Sequence, residues 1–224
     1  MRDFNEYYQW HVGKKAEFMA EILRKKDYRV SLARTKEEAK SMVLSMIPEG
    51  SSIGLGGSQT VIQLGILDEL RNDRYQLLDR YAPCYDSREG QHFGILRESL
   101  MTDVFITGTN AVTMKGELVN MDCSGSRVAA MAYGPKKVII VVGVNKLVKD
   151  IPAAVDRLYQ IAPMNCRKEE HHTPCVETGI CTDCNVKQTE TIRGRMCNIL
   201  SVILSAHKFP GRLNVVVVAD EMGF

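Results

Sequence analysis

Four cysteines in the C-terminal third of the chain have the spacing of a metal site. Cys175, Cys181, Cys184 and Cys197 follow the pattern C-x5-C-x2-C-x12-C. Short spacing lets the sulfurs of a C-x2-C pair converge on one centre, and four thiolates suit tetrahedral Zn²⁺ or an iron–sulfur cluster. The alternative is a set of reduced cysteines, some buried as small apolar side chains. Because four of the seven cysteines cluster, the sequence favours metal binding.

A second group of polar residues surrounds two apolar runs, Val104–Thr107 and Val138–Gly143. Unbroken β-branched runs are typical of buried parallel strands, and ligands bind beyond the carboxyl ends of such strands. One or two polar residues at these ends would be explained by turns, but a larger group favours a convergent site. The polar residues that the pattern places at strand ends or at a helix start are Asn110, Asn120, Asp122, Ser124, Ser126, Arg127, Asn145 and Lys146.

The segment Gly56–Thr60 is a candidate anion site. It follows a short predicted strand, Ser51–Leu55, and precedes a helix predicted over Val61–Leu70. Glycines let backbone N–H groups approach a ligand, and the N-terminus of a helix favours negative charge. The segment matches neither a Walker A loop nor a G-x-G-x-x-G motif, so a tight turn without a ligand is an equal alternative.

Strand and helix patterns alternate along the chain. They predict βαβ units and an α/β fold, an open and mostly parallel sheet with helices on both faces. A turn at Lys115–Gly116 predicts a hairpin-like excursion, and the polar stretch Arg80–Gly90 suits a surface loop or lid. Further strands are predicted at Tyr28–Ala33, Tyr75–Leu78 and Leu213–Ala219, and helices at Tyr7–Lys26, after Thr35, and at Gly90–Thr102, Arg127–Tyr133, Asp150–Ala162 and Ile199–Ala206.

Length and composition fit a single α/β domain over residues 1–224, with 163–198 as a cysteine-rich insertion. The net charge of +2 and the lack of long Lys/Arg blocks argue against a nucleic-acid partner. No apolar run approaches the roughly 20 residues that span a bilayer, and the N-terminus lacks a signal-peptide pattern. We therefore expect a cytoplasmic protein, and homo-oligomerisation stays open.

Several motifs together resemble the lactate-utilisation (LUD) domain family. They are GLGGSQT at 54–60, ITGTNAVTMKGELVNMDCSGSRVAA at 106–130, GPKKVIIVVGVNKLV at 134–148, APMNCR at 162–167, the PC…TGICTDC run at 174–184 and the closing VVVVADEMGF. The resemblance covers nearly the whole chain. It implies a fold similar to the superfamily of glucosamine-phosphate deaminase, ribose-phosphate isomerase and coenzyme A transferase. One local departure is Asp122-Cys123-Ser124-Gly125-Ser126-Arg127, where the family usually has Asp-Gly-Thr-Gly-Asn-Arg.

The resemblance also implies which residues line a pocket. We expect Arg127 and Lys146 to bind an anionic carboxylate or phosphate group. Glu117 is a weak acid/base candidate, since a carboxylate on a turn is more often solvated. The expected pocket residues are Gly56, Gly57, Ser58, Asn110, Asn120, Asp122, Arg127, Asn145 and Lys146.

Some members of the family belong to multi-subunit, iron–sulfur-associated systems that oxidise L-lactate to pyruvate. The resemblance therefore implies a subunit of such a system, with partner subunits and a [4Fe–4S] cluster, or zinc, at the four cysteines. One alternative is a stand-alone sugar-phosphate isomerase or CoA transferase-like enzyme with structural zinc, and another is a ligand sensor without catalysis. No flavin or nicotinamide fingerprint is visible, so a complete lactate oxidase in this one chain is not expected.

Overall fold

A computed structural model describes residues 4–82, 91–189 and 191–224 of the chain. Most of the predicted loop or lid at Arg80–Gly90, with Cys84, lies outside these ranges. The ten strands are β1 (Arg29–Ala33), β2 (Ser52–Leu55), β3 (Gln76–Leu78), β4 (Val104–Gly108), β5 (Ala111–Thr113), β6 (Leu118–Asp122), β7 (Lys137–Gly143), β8 (Leu147–Val148), β9 (Ile199–Ile203) and β10 (Leu213–Val218).

Within the described ranges, eight α-helices alternate with these strands over most of the chain. They are α1 (Phe4–Arg24), α2 (Lys36–Ser45), α3 (Gln59–Gln63), α4 (Leu67–Leu70), α5 (Gln91–Glu98), α6 (Ser126–Ala132), α7 (Ile151–Lys168) and α8 (Pro174–Thr178). Short 3₁₀ turns follow α5 at Ser99–Met101 and β7 at Val144–Lys146. Thr35 caps α2, since Glu38 N donates to Thr35 Oγ1, and Arg34 N donates to Glu38 Oε2.

The central sheet has six strands in the order β1-β10-β7-β4-β2-β3, and every neighbouring pair is parallel. The residues of β4 and β10 are all buried, as their unbroken apolar runs predict. Alternate residues of β7 and β10 face two separate cores. Helix α1 packs on one face, and α2, α3 and α4 pack on the other. The predicted α/β fold is therefore confirmed.

A second sheet of four strands, in the order β8-β5-β6-β9, was not predicted. Its centre is the predicted hairpin, in which β5 and β6 pair antiparallel on either side of the Lys115–Gly116 turn. Strand β8 adds parallel to β5, and β9 adds antiparallel to β6. Ala111 and Val119 of this sheet bury apolar surface against Ala154 and Leu158 of α7. The small sheet thereby holds α7 near the carboxyl ends of the central strands.

Three predicted helices differ from the structure. The helix over Val61–Leu70 is broken into α3 and α4 at Gly65, whose φ of +65° ends a helix. The helix predicted to end at Ala162 continues through Pro163 to Lys168, because Pro163 and Cys166 are buried in this last part. The segment predicted as a helix over Ile199–Ala206 begins with strand β9, because its apolar residues pair with β6.

No helix within the described ranges is long and apolar enough to cross a membrane.

Candidate functional site

Arg127 lies at the start of α6 and is only 7% exposed. Its Nη1 donates to Asn120 Oδ1 at 2.9 Å, and its Nη2 donates to Asn110 Oδ1 at 2.9 Å and to Met121 O at 2.8 Å. Longer contacts join Nε to Asp122 Oδ1 at 3.4 Å and Nη1 to Gly108 O at 3.5 Å. A guanidinium has five N–H donors. The five contacts above give each of these donors an oxygen of the protein itself.

These contacts fix the end of the β5–β6 hairpin against the end of β4. Arg127 brings together Asn110, Asn120 and Asp122, as the sequence predicts, but its donors are occupied. Its geometry is that of a residue that shapes the site. Asn120 Oδ1 also accepts from Thr109 Oγ1 and from the Asn110 backbone N–H, whereas Asn120 Nδ2 is buried without a hydrogen-bond partner in the described structure.

Lys146, in the 3₁₀ turn that follows β7, is a second buried cation and is 5% exposed. Its Nζ donates to Thr60 Oγ1 at 2.7 Å, and no carboxylate of the described residues lies within 4 Å of it. Burial and, after it, the nearby positive charges of Arg157, Arg127 and Lys168 together lower the pKa of Lys146 to about 7. The structure thus places an amine just beyond the carboxyl end of β7, where little in its surroundings balances its positive charge.

Residues 219–224 follow β10 and lie over Lys146. Thr60 Oγ1 contacts Met222 O at 3.3 Å, and Met222 N donates to Asn145 Oδ1 at 3.1 Å. Arg157 Nη2 donates to Phe224 O at 2.7 Å. Gly223 has a φ of +68°, and a Cβ atom there would lie 2.5 Å from Thr60 Oγ1 and 3.2 Å from Lys146 Nζ. Only a glycine allows this close approach.

The glycine turn at residues 56–58 is already occupied by a tyrosine. Ser58 N donates to Tyr81 Oη at 3.2 Å, and Tyr81 Oη donates to Gly56 O at 3.3 Å. Burial raises the pKa of Tyr81, so its hydroxyl stays neutral. The following helix, α3, has five residues, too few for a strong dipole, and Ser58 Oγ caps it by accepting from Val61 N. Arg80 lies beside Gly57, at 3.4 Å from the position of a Cβ atom.

A small cavity of about 50 Å³ lies between the glycine turn, the hairpin end, α7 and the cysteine-rich segment. Four of the predicted pocket residues line it. Five residues of α7 were not predicted: Leu158, Ile161 and Ala162 lie in the predicted helix but were not assigned to a pocket, and Asn165 and Lys168 lie beyond its predicted end. Helical spacing continues through Leu158, Ile161, Asn165 and Lys168 and could have identified this wall. The full lining is Gly57, Asn110, Met121, Asp122, Arg127, Leu158, Ile161, Ala162, Asn165, Lys168, Glu169, Met196 and Cys197.

Glu117 lies away from this cavity. It follows the turn of the β5–β6 hairpin, at the end opposite Asn110 and Asp122. Its Oε2 accepts from Thr113 Oγ1 at 2.6 Å. The carboxylate stabilises the hairpin turn and is not among the residues that line the cavity.

Three cysteine side chains interact beside the cavity. The interaction between Cys166 and Cys197 raises the pKa of the Cys166 thiol and lowers that of Cys197. Cys166 also contacts Cys175, and both thiols are buried. Cys181 lies close enough to Cys197 to affect its pKa. The sequence analysis did not single out Cys166, since it lies on α7 outside the C-x5-C-x2-C-x12-C pattern.

Arg195 organises the loop that carries the remaining cysteines. Its Nε donates to Cys197 O at 2.7 Å and its Nη1 to Cys184 O at 2.6 Å, while Nη2 pairs with Asp183 at 2.6 Å. This brings the C-x2-C pair towards Cys197. Across the ranges that the structure describes, however, no three or more His, Cys, Asp or Glu side chains are grouped as metal ligands are. Metal binding by Cys175, Cys181, Cys184 and Cys197 stays a prediction.

Comparison with known proteins identifies one family and one similar fold. The model of the LUD domain family matches residues 16–218, whereas no curated protein matches the sequence. A DUF162 family protein from Deinococcus radiodurans is similar in structure over 92% of this chain and 98% of that chain, with a TM-score of 0.50 and 14% identity. At this identity the similarity concerns the fold alone.

Two other solved structures are more distant. eIF2B beta from Chaetomium thermophilum has a TM-score of 0.35 and 18% identity, covering 52% of this chain and 44% of that chain. The 5-methylthioribose 1-phosphate isomerase from Pyrococcus horikoshii has a TM-score of 0.28 and 14% identity, covering 87% of this chain and 51% of that chain. Neither similarity is strong enough to bear on the site.

Proposed function

The chain belongs to the LUD domain family, and on that basis we propose that it binds a small carboxylate at the carboxyl strand ends, beside Lys146. The carboxylate would be L-lactate or a related 2-hydroxy acid, and the chain would act as one subunit of a system that oxidises it to the 2-oxo acid.

The observation that carries this proposal is the uncompensated amine of Lys146. A buried charge is costly unless it is paired, and a buried lysine with one hydroxyl acceptor is not paired. Arg157, Arg127 and Lys168 make the surroundings of Lys146 positive. An anionic ligand would offset this charge, stabilise the protonated amine and raise its pKa.

Ligand entry would require residues 219–224 to separate from the strand ends. Met222 is held by Thr60 and Asn145, and Gly223 N donates to Gln63 Oε1 at 2.7 Å. These hydrogen bonds join neutral groups, each with a net contribution of about 1 kcal/mol. The bond from Arg157 Nη2 to Phe224 O and the ion pair of Lys36 with Asp220 also hold the segment, and both involve charged groups. A carboxylate that pairs with Lys146 would compete with the neutral bonds at Met222 and Gly223, because bonds to charged groups are stronger.

Oxidation of a 2-hydroxy acid to a 2-oxo acid releases two electrons and two protons. The described side chains supply binding through Lys146, which a bound carboxylate would keep protonated. The electrons would pass to a redox centre. An iron–sulfur cluster, if bound by the cysteines, would supply electron transfer, and otherwise a partner subunit would do so.

Isothermal titration of the full chain with L-lactate, pyruvate, a phosphosugar and a CoA ester tests the proposal. We expect lactate or pyruvate to bind, and Lys146→Met to weaken binding by at least about tenfold. Lys149→Met is the matched control, because Lys149 is exposed and close by in the chain, and it should bind as wild type does. Equal affinity of Lys146→Met and wild type would contradict the proposal. Turnover of the phosphosugar or CoA ester by this chain alone would favour the stand-alone enzyme.

A further inference from the structure

Strand β9 forms an edge of the four-stranded sheet. In the described part of the chain it pairs with β6 alone, and its other side faces away from the sheet. The sequence from Asn198 to Ser205, NILSVILS, contains no charged residue, proline or glycine. Soluble proteins normally protect exposed edges with charges, prolines or bulges, because unpaired backbone groups recruit another strand. This edge lacks those charges and prolines.

Apolar side chains extend the edge into a larger surface. Ile199 and Leu200 of β9 are 38% and 48% exposed, and Leu204, just after the strand, is 58% exposed. Such a group of exposed aliphatic side chains along one short segment is unusual. One side of β9 borders an open groove of about 610 Å³. Its walls are mainly apolar and include Leu96, Leu100, Val128, Ala129, Ala132 and Ile199.

The charge and symmetry of this surface fit a second copy of the same chain. Among the residues that the structure describes, Arg97 is the one charged residue that lines the groove, so two identical copies of β9 meet without repulsion between like charges. A two-fold rotation through the middle of a strand sets it antiparallel to itself, with each copy supplying the donors and acceptors that the other needs. Pairing of β9 with the second copy would be limited at the C-terminal end of the strand, because Ile203 O already accepts from Tyr28 Oη at 3.3 Å.

The surface next to β9 would add to the contact between two copies. Stable, specific interfaces of standard size bury about 800 Å² on each partner. A strand of five residues is too short to bury this area by itself, but the adjoining groove and the side chains of Leu200 and Leu204 enlarge the contact. We propose that β9 pairs antiparallel with β9 of a second copy, which joins the two small sheets into one eight-stranded sheet.

Sedimentation velocity of the full chain, over a roughly hundredfold range of concentration, tests this proposal. We expect a dimer that dissociates on dilution. Leu200→Lys places a charge on the edge and should shift dissociation to at least about tenfold higher concentration. Met114→Lys is the matched control, since Met114 is 50% exposed but lies in the hairpin turn, and it should leave the dimer intact. A chain that stays monomeric throughout, or a dimer that Leu200→Lys leaves intact, would overturn the proposal.

Hydrogen exchange of the wild-type chain gives a test that does not depend on a variant folding. The amides of residues 199–202 should exchange at least about tenfold more slowly in the dimer than after dilution to the monomer. Protection that does not change with concentration would mean that β9 is not at the interface, and would contradict the proposal. Neither experiment involves Lys146 or residues 219–224, so both outcomes are independent of carboxylate binding.

Discussion

Arg127 and Lys146 are buried to a similar degree, 7% and 5% exposed, and both lie near strand ends at the same edge of the central sheet. Their surroundings differ. Arg127 has five protein oxygens around its guanidinium, one of them from the carboxylate of Asp122. Lys146 has a single hydroxyl acceptor, Thr60 Oγ1. One cation is fully compensated by the protein, and the other is not.

This difference separates a structural role from a binding role. A compensated cation holds the elements that surround it and has no donor left for a ligand. An uncompensated cation destabilises the free protein and has binding energy available for an anion. The sequence analysis assigned anion binding to both residues on equal terms. The geometry supports that role for Lys146 and supports a positioning role for Arg127.

The largest expected effect is on stability, from Arg127→Ala. Removal of the guanidinium leaves Asn110 Oδ1, Met121 O and the partly buried Asp122 without their main partner. Loss of one partner of a buried pair typically costs about 3–5 kcal/mol. Urea unfolding measures this, with Arg34→Ala as a control, because Arg34 is exposed. A loss under about 1 kcal/mol would show that Arg127 does not hold the hairpin.

The second effect is a pH dependence of stability that Lys146→Met should remove. The pKa of Lys146 is about 7 in the folded chain, against 10.5 for a free lysine. Between these values the unfolded chain binds more protons, so the free energy of unfolding of the wild type should rise from about pH 7 towards pH 10. Below pH 7 the variant should be the more stable of the two, because it buries no charge. If the free energy of unfolding depends on pH in the same way in both proteins, the charge of Lys146 is balanced in the folded chain and the prediction is wrong.

The third prediction concerns the sulfur side of the cavity. Anaerobically purified protein should contain iron with acid-labile sulfide, or zinc, and Cys197→Ser should lose most of it. Cys123→Ser is the control, since Cys123 is outside the predicted set. Cys166→Ser is informative as well, because Cys166 lies close enough to Cys197 to lower its pKa. Absence of iron and zinc from fresh protein would end the metal hypothesis and leave a cluster of reduced thiols.

The smallest effect is expected from Gly223→Ala, compared with Gly65→Ala. The two glycines have similar φ values, +68° and +65°, but a Cβ has open space only at Gly65. Both changes should cost about 1 kcal/mol through backbone strain. Gly223→Ala should also lift the tail from Lys146 and so weaken the pH dependence described above. If both variants keep the wild-type pH profile, the tail does not control the burial of Lys146.

Much of the central sheet could be predicted from the sequence, because buried parallel strands leave a local signal. The runs at Val104–Thr107, Val138–Gly143 and Leu213–Ala219 correspond to β4, β7 and β10. The small sheet left no such signal. Strand β8 has two residues, and the apolar pattern of β9 also suits a helix, so pairing with β6 decides its conformation. The superfamily placement stays a prediction, as does the cytoplasmic location.

The site could be predicted only in part for a similar reason. Asn110, Asn120, Asp122 and Arg127 come together because they are at the ends of neighbouring elements, which a strand pattern reveals. Whether the donors of Arg127 are free depends on side-chain positions that no local pattern encodes. Thr60 belongs to the candidate anion segment, but its bond to Lys146 joins distant parts of the chain and was not predicted. Arg157 was missed because it is an ordinary residue of a predicted helix.

The position of β10 in the sheet has a consequence for how the chain folds. Strand β1 pairs with β10, and β10 lies between β1 and β7, so neighbours in the sheet are far apart in the chain. Such non-local pairings slow folding, because a long loop must close before any contact forms. During synthesis β1 emerges from the ribosome long before its partner. Until β10 arrives, the edges of β1 and β7 stay open, and in this interval the growing chain is most exposed to aggregation and most dependent on chaperones.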